Sequence, residues 1–338
     1  EIAVGLLSIL ILTMPSWSDW IWPALGPERL TSATGAAIKL VLSAVLVGLP
    51  AFCMGLVLPL VLAGLRERSP LAASQVVWLY AANTMGGVVG LALLAWLVLP
   101  WLQSDGAILF AGLLNLAVGG WLWSLGRSVM DRPRECSPPA ASGSISPFSL
   151  AVAAWSGFGL LAFEVAAVQL VVLFAPLSYY APFIILGTVL LMLAAASVFV
   201  ALRKSSAIIA PTILAAGAAL ALTPVLFQLA VQSFSADPAA TLPGFTFRMF
   251  AFSLMTLGPA MFVGGLVFPR VLESSVKGVG MHVETVAWLI AANGVGGFLG
   301  AEIMNRWLLP QLGIFVALGA IAKAYALLAA IAFLLERH

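Results

Sequence analysis

Two ionisable side chains interrupt long apolar runs, and they are the first candidates for chemistry. Glu164 lies in Ser156-Gly157-Phe158-Gly159-Leu160-Leu161-Ala162-Phe163-Glu164-Val165, and Lys323 in Gly319-Ala320-Ile321-Ala322-Lys323-Ala324-Tyr325. A charge at a bilayer centre costs about 2.5–3.5 kcal/mol on insertion scales, so each needs a partner, water or a change of protonation. Counting residues from the helix ends puts both near the midplane, where they are placed to pair. Two readings stay open: a structural ion pair or protonated, hydrogen-bonded Glu164, and a transport or proton-relay role. Asn83 and Asn293 occupy matching places in two similar segments. They are candidates to hydrogen-bond across a pseudo-twofold axis or to line a cavity. Glu302 and Arg306 stand at i and i+4, the favourable order for a structural helical ion pair. Lys39, Arg248 and Arg270 fall near helix ends, where snorkelling accounts for them.

Enzymatic chemistry has no visible machinery. No serine-histidine-acid set or phosphate loop is present, and His282 and His338 are far apart. Cys53 sits in an apolar run and Cys136 in a polar stretch, which gives neither a disulfide framework nor metal-ligand spacing. Gly294-Val295-Gly296-Gly297 has dinucleotide-like glycines but no preceding strand. Neither a cofactor nor a metal is expected. The basic residues are few and dispersed, so nucleic acid is not an expected partner.

The elements that hold these residues are membrane helices. Of 338 residues, 62% are hydrophobic and 8% charged, whereas about a quarter of a soluble domain is charged. Apolar runs long enough to span fall near 2–14, 36–62, 76–100, 107–125, 148–175, 183–202, 207–231, 246–272, 285–309 and 314–335. That makes ten, the first too short to cross alone unless the chain extends before Glu1 or the helix continues toward Trp22. The opening run lacks a basic start and a small-residue cleavage site, and reads as a helix rather than a signal peptide. Arg66, Arg68, Arg127, Arg132, Arg134, Arg203, Lys204, Lys277 and Arg337 follow alternate helices, while the opposite loops hold only Arg29 and carry Trp17, Trp20, Trp22, Tyr179 and Tyr180. Basic loops stay cytoplasmic and aromatic residues favour the interface. The expected location is a bacterial inner membrane with both ends cytoplasmic. The Pro- and Ser-rich stretch 131–147 reads as a cytoplasmic linker between an incomplete first membrane repeat, 1–130, and a second, 148–338.

An offset of 210 residues aligns Gly55-Leu56-Val57-Leu58-Pro59 with Gly265-Leu266-Val267-Phe268-Pro269, and Trp78-Leu79-Tyr80-Ala81-Ala82-Asn83-Thr84-Met85-Gly86-Gly87 with Trp288-Leu289-Ile290-Ala291-Ala292-Asn293-Gly294-Val295-Gly296-Gly297. Leu99-Pro100 still matches Leu309-Pro310. Shared Trp, Asn, Gly and Pro in one register indicate duplication. Basic loops precede both motif helices, so the repeats are parallel, related by an axis along the membrane normal as in major-facilitator transporters. Glu1 then corresponds to Pro211, and the first repeat lacks its first two helices. The fold expected is all-α integral membrane, about ten transmembrane helices in two parallel repeats of four and six. Gly86 and Gly90, with their copies Gly296 and Gly300, put small residues on one helix face, a helix-packing signature.

The segments Trp78–Gly87 with Leu99-Pro100, and Ser156–Val165, resemble the membrane region of fused major-facilitator/spermidine-synthase-like proteins. Glu1-Ile2-Ala3-Val4-Gly5 looks like that family's third helix. The resemblance implies a major-facilitator-like fold and a link to polyamines. Many relatives attach a soluble aminopropyltransferase domain, which no loop of this chain is long enough to hold, so synthase activity does not transfer. Three functions follow: a transporter-like or membrane-anchoring module, a non-catalytic accessory subunit of a larger membrane complex, or a fragment of a membrane-bound polyamine aminopropyltransferase. The partners implied are the lipid bilayer and, for the second, other membrane subunits covering the incomplete first repeat.

Overall fold

The computed structural model describes residues 1–13, 20, 23, 32–66, 72–130, 145–174, 181–203, 209–234, 241–279 and 283–336. Most of the expected linker, residues 131–144, lies outside these, as do Arg29, Arg68, Arg132, Arg134, Lys204, Arg337, His282 and His338. The described residues are almost entirely helical, with no strand among them, and eight helical runs are long and apolar enough to cross a membrane. The helices are α1 (Ile2–Ile11), α2 (Ala33–Ser43), α3 (Leu49–Gly55), α4 (Val57–Arg66), α5 (Ala73–Leu93), α6 (Leu99–Met130), α7 (Pro147–Phe174), α8 (Ala181–Leu202), α9 (Ala210–Phe234), α10 (Leu242–Gly265), α11 (Val267–Val279), α12 (Val283–Ile303), α13 (Leu309–Leu312) and α14 (Ile314–Glu336).

Prolines dictate where these helices deform. Single π-helical turns occupy Ala44–Gly48, Leu94–Val98 and Met304–Leu308. Each ends two residues before a proline, Pro50, Pro100 or Pro310. A proline ring collides with the carbonyl four residues back and offers no N–H. That carbonyl lies inside the π turn in all three cases, and bonding there slips to i→i+5, with Leu49, Leu99 and Leu309 donating to Ala44, Leu94 and Met304. Pro59 and Pro269 act alike on Gly55 and Gly265, the last residues of α3 and α10, and Leu56 and Leu266 intervene before the next helix.

The deformations recur in register. α5 and α12 begin and end 210 residues apart, as do the π turns that follow them and the starts of α6 and α13. The offset holds again for Gln103 and Gly313, the residues of positive φ.

Two compact units are present: residues 1–61 with 93–139, and residues 62–92 with 140–338. In the first, α1 packs antiparallel on α6 through glycines. Gly5 lies against the Gly112 carbonyl and Leu116, while Gly119 lies against Ile2. In the second, α7 packs on α12, α9 on α10 and α14, and α10 on α8. Its core holds Phe163, Leu170, Ile213, Phe252, Leu257, Met261, Leu272 and Leu289, all nearly without exposure.

Candidate functional site

The closest helix contact of the second unit forms around Asn293 and its glycines. A Cβ on Gly157 would run into the Asn293 carbonyl, one on Gly296 into Ala154 and one on Gly300 into Phe158. Only hydrogen fits at these three positions. Ala153 meets Asn293, Ala154 meets Gly296, and Phe158, one turn on, meets Gly300, so α7 and α12 run in the same direction. Asn293 Nδ2 donates to the Ala153 carbonyl across this seam (3.1 Å). That carbonyl already belongs to the α7 ladder and accepts the amide on its second lone pair.

Glu164 extends the same ridge. Seven residues beyond Gly157, it lies on the side of α7 that faces α12, and α7 goes on to touch the Met304–Leu308 π turn. Helical rise places it about 25 Å along a helix of about 40 Å. It is half-buried, and among the described residues it makes neither a hydrogen bond nor an ion pair. The expected pairing with Lys323 is therefore corrected: Lys323 is exposed on α14 and no ion pair joins the two. Tyr325 of α14 does reach α7, two positions on and so turned through about 200°. Its ring fills the space above Gly159 and meets the Trp155 indole edge-on at 5.8 Å. Trp155 stacks in turn on Phe158 at 4.9 Å. Trp155 Nε1 and Ser156 Oγ, both buried on α7, have no hydrogen-bond partner among the described residues.

The segment of matching sequence on α5 differs sharply. Asn83 is exposed with no hydrogen bond to a described residue, and nothing stands within 4 Å of a Cβ built on Gly86 or Gly90. The two asparagines are thus not joined, and the packing role expected of four glycines falls to Gly296 and Gly300 alone. α5 instead places Val77 in a buried cluster with Ala196, Val200 and Leu266, Tyr80 against the Phe268 ring, and Gly87 beside Leu190. Glu302 and Arg306 do form an ion pair, Nε to Oε2 2.5 Å, on an exposed surface.

Sequence reading missed a polar cluster at one end of the second unit. Arg270 donates to Thr212 Oγ1 and lies within electrostatic reach of Glu273 and Arg203. Arg203 also rests over the Phe199 ring at 4.8 Å. Glu336, at the end of α14, accepts from the Ile209 and Ala210 amides (2.8 and 3.3 Å), capping α9 from another helix. Arg270 and Glu273 at i and i+3 were the available signal, and Glu336 had none, because its partners lie more than a hundred residues away. Comparisons with protein-family models, with curated proteins and with solved structures find no match to the chain.

Proposed function

We propose that this chain is a transporter-like membrane module of two parallel repeats, related to the spermidine-synthase-like family, with Glu164 as its intramembrane acid. In this reading the 53-residue run Ala73–Leu125 crosses twice, turning at Gln103, because an unbroken helix of that length would measure about 80 Å against a hydrocarbon core of about 30 Å. With α1 as part of a further span the count is ten. The shared register of helix ends, π turns and positive-φ residues supports duplication. The common direction of α7 and α12, the first and fifth helices of the second repeat, supports entry of both from one side of the membrane, and the basic loops that precede them make that side the cytoplasm of a bacterial inner membrane in this reading.

One observation carries the functional reading: a carboxyl group near mid-helix, on a helix seam, beside a π turn and without a described partner. Structural acids in membranes are paired, and an unpaired one facing protein marks a path for protons or ions. π turns free a carbonyl from the helical ladder and recur at functional sites. The test is uptake of labelled spermidine into proteoliposomes under an imposed pH gradient, spermidine being the first probe because of the family resemblance. Wild type accumulates it, and Glu164→Gln does not. No gradient-dependent uptake by correctly inserted wild type removes the transport reading in favour of anchoring. A second reading, the accessory subunit, is favoured by the exposed Asn83, Gly86 and Gly90 face.

A further inference from the structure

Two unpartnered hydroxyls of the second unit are brought to one level by the helices that carry them. α9 runs against α10 and its continuation α11, since Thr212 meets Arg270 and Phe227 meets Phe252. Thr223 precedes Phe227 by four residues and Thr256 follows Phe252 by four. In antiparallel helices those two steps go the same way along the bundle by about 6 Å, and a step of four stays on one helix face. Thr223 and Thr256 therefore approach the α9–α10 seam together, near the middle of both helices. Both are fully buried, and neither Oγ1 has a hydrogen-bond partner among the described residues, whereas the buried Thr188 and Ser197 of α8 bond the carbonyl four residues back. The seam offers acceptors as well. Pro224 and Pro259 stand inside α9 and α10, and having no N–H they leave the Leu220 and Met255 carbonyls without a helical donor. Leu220 is within one turn of Thr223, and Met255 adjoins Thr256. On one side the seam is closed by aromatic rings, because Phe252 stacks on Phe174 at 3.9 Å and meets Phe227 and Phe234 edge-on.

We propose that a water molecule is bound inside the second unit between Thr223 and Thr256, bridging α9 to α10 with a proline-released carbonyl as its acceptor. The inventory of the site selects water. Hydroxyls and free carbonyls supply donors and acceptors together, which a neutral water satisfies in both senses, and buried waters typically make about three such bonds. An alkali ion takes lone pairs only, leaves the hydroxyl protons unpaired, and finds no acid on either helix to balance its charge. Within a membrane, ordered water is one of the groups that satisfy backbone freed by proline. The bound water ties the two proline-bearing helices together at mid-height. The inference goes beyond the function proposed above and depends neither on transport, nor on the repeat, nor on how the two units are arranged.

The experiment is a double-substitution cycle on the 1–338 chain in detergent, read as unfolding temperature. Valine is the replacement because it removes the hydroxyl and keeps the branched shape. Thr223→Val and Thr256→Val each lower the temperature, and the double variant lowers it little further than either one, because the first loss already breaks the bridge. Thr256→Ser keeps a hydroxyl and melts as the parent does. Thr188→Val, whose hydroxyl serves its own helix, combines additively with Thr223→Val. Infrared spectra separate a water from a direct bond between the threonines: the parent in D2O shows an O–D band, missing from both valine variants, that shifts when the D2O carries the heavy oxygen isotope, since threonine oxygen does not exchange. Higher unfolding temperatures in the valine variants would mean hydroxyls left unpaired. Additive losses would mean hydroxyls bonded within their own helices, coupling without an isotope-sensitive band would mean a direct bond, and coupling in sodium but not choline chloride would mean an ion. Each of these four outcomes overturns the proposal.

Discussion

Gln103 and Gly313, 210 residues apart, share one backbone conformation: φ 56 and ψ −172 in the first, φ 71 and ψ 170 in the second. This region is almost confined to glycine, and another residue held in it bears about 1–3 kcal/mol of strain. The turn after each of these two π-helical stretches thus has the same shape, built on glycine at 313 and on glutamine at 103. Gln103→Gly is expected to raise the thermal unfolding temperature in detergent, and Gly313→Ala to lower it. Equal melting of Gln103→Gly and parent would mean that the turn is not held as described.

The α7–α12 seam predicts a contrast between copies. Gly300→Ala drives a methyl into the Phe158 carbonyl, and forced overpacking costs about 1–3 kcal/mol. Gly90→Ala meets open space and gains about 0.5–1 kcal/mol from helix propensity. Unfolding followed by circular dichroism separates them, and equal loss in both variants would contradict the asymmetry.

The asparagines behave likewise. Asn293→Ala removes an interhelical bond, and such bonds in membranes average about 0.6 kcal/mol. Asn83→Ala in the chain alone changes nothing. Amide hydrogen exchange along Pro147–Phe174 is the sharper readout, because protection should fall in the first variant only.

Glu336 fastens the end of α14 to the start of α9. Replacing it by Ala strands the Ile209 and Ala210 amides, and loss of a helix cap costs typically about 1 kcal/mol. Glu336→Gln keeps a carbonyl acceptor and retains part of the effect. The Glu302–Arg306 pair is exposed at both ends, and its removal should cost no more than about 0.5 kcal/mol in a thermal melt.

The helices were legible because a spanning segment writes itself in composition: the run at 148–175 differs from Pro147–Phe174 by one residue at each end, and the run at 314–335 from Ile314–Glu336 by one residue at its end. The 210-residue register was legible because Trp, Asn, Gly and Pro do not recur by apolar chance. What stayed hidden depends on which side of a helix meets a neighbour. Lys323 and Tyr325 are two residues apart and so point about 200° apart, and depth alone favoured the lysine. The difference between Gly86 and Gly296 was invisible for the opposite reason, since identical motifs carry no mark of whether a partner is present. The π turns were signalled only by their prolines, and Pro224 and Pro259 stand inside helices that carry no such turn.

The most direct measurement of the role proposed for Glu164 is infrared difference spectroscopy of the protein in lipid, following the carboxyl C=O stretch as the external pH is stepped and as water is replaced by D2O. The account predicts a carboxyl band that titrates, shifts promptly in D2O, and is missing from Glu164→Gln while the amide bands stay unchanged. A spectrum in which Glu164→Gln matches the parent at every pH, with no exchanging carboxyl lost, would contradict it.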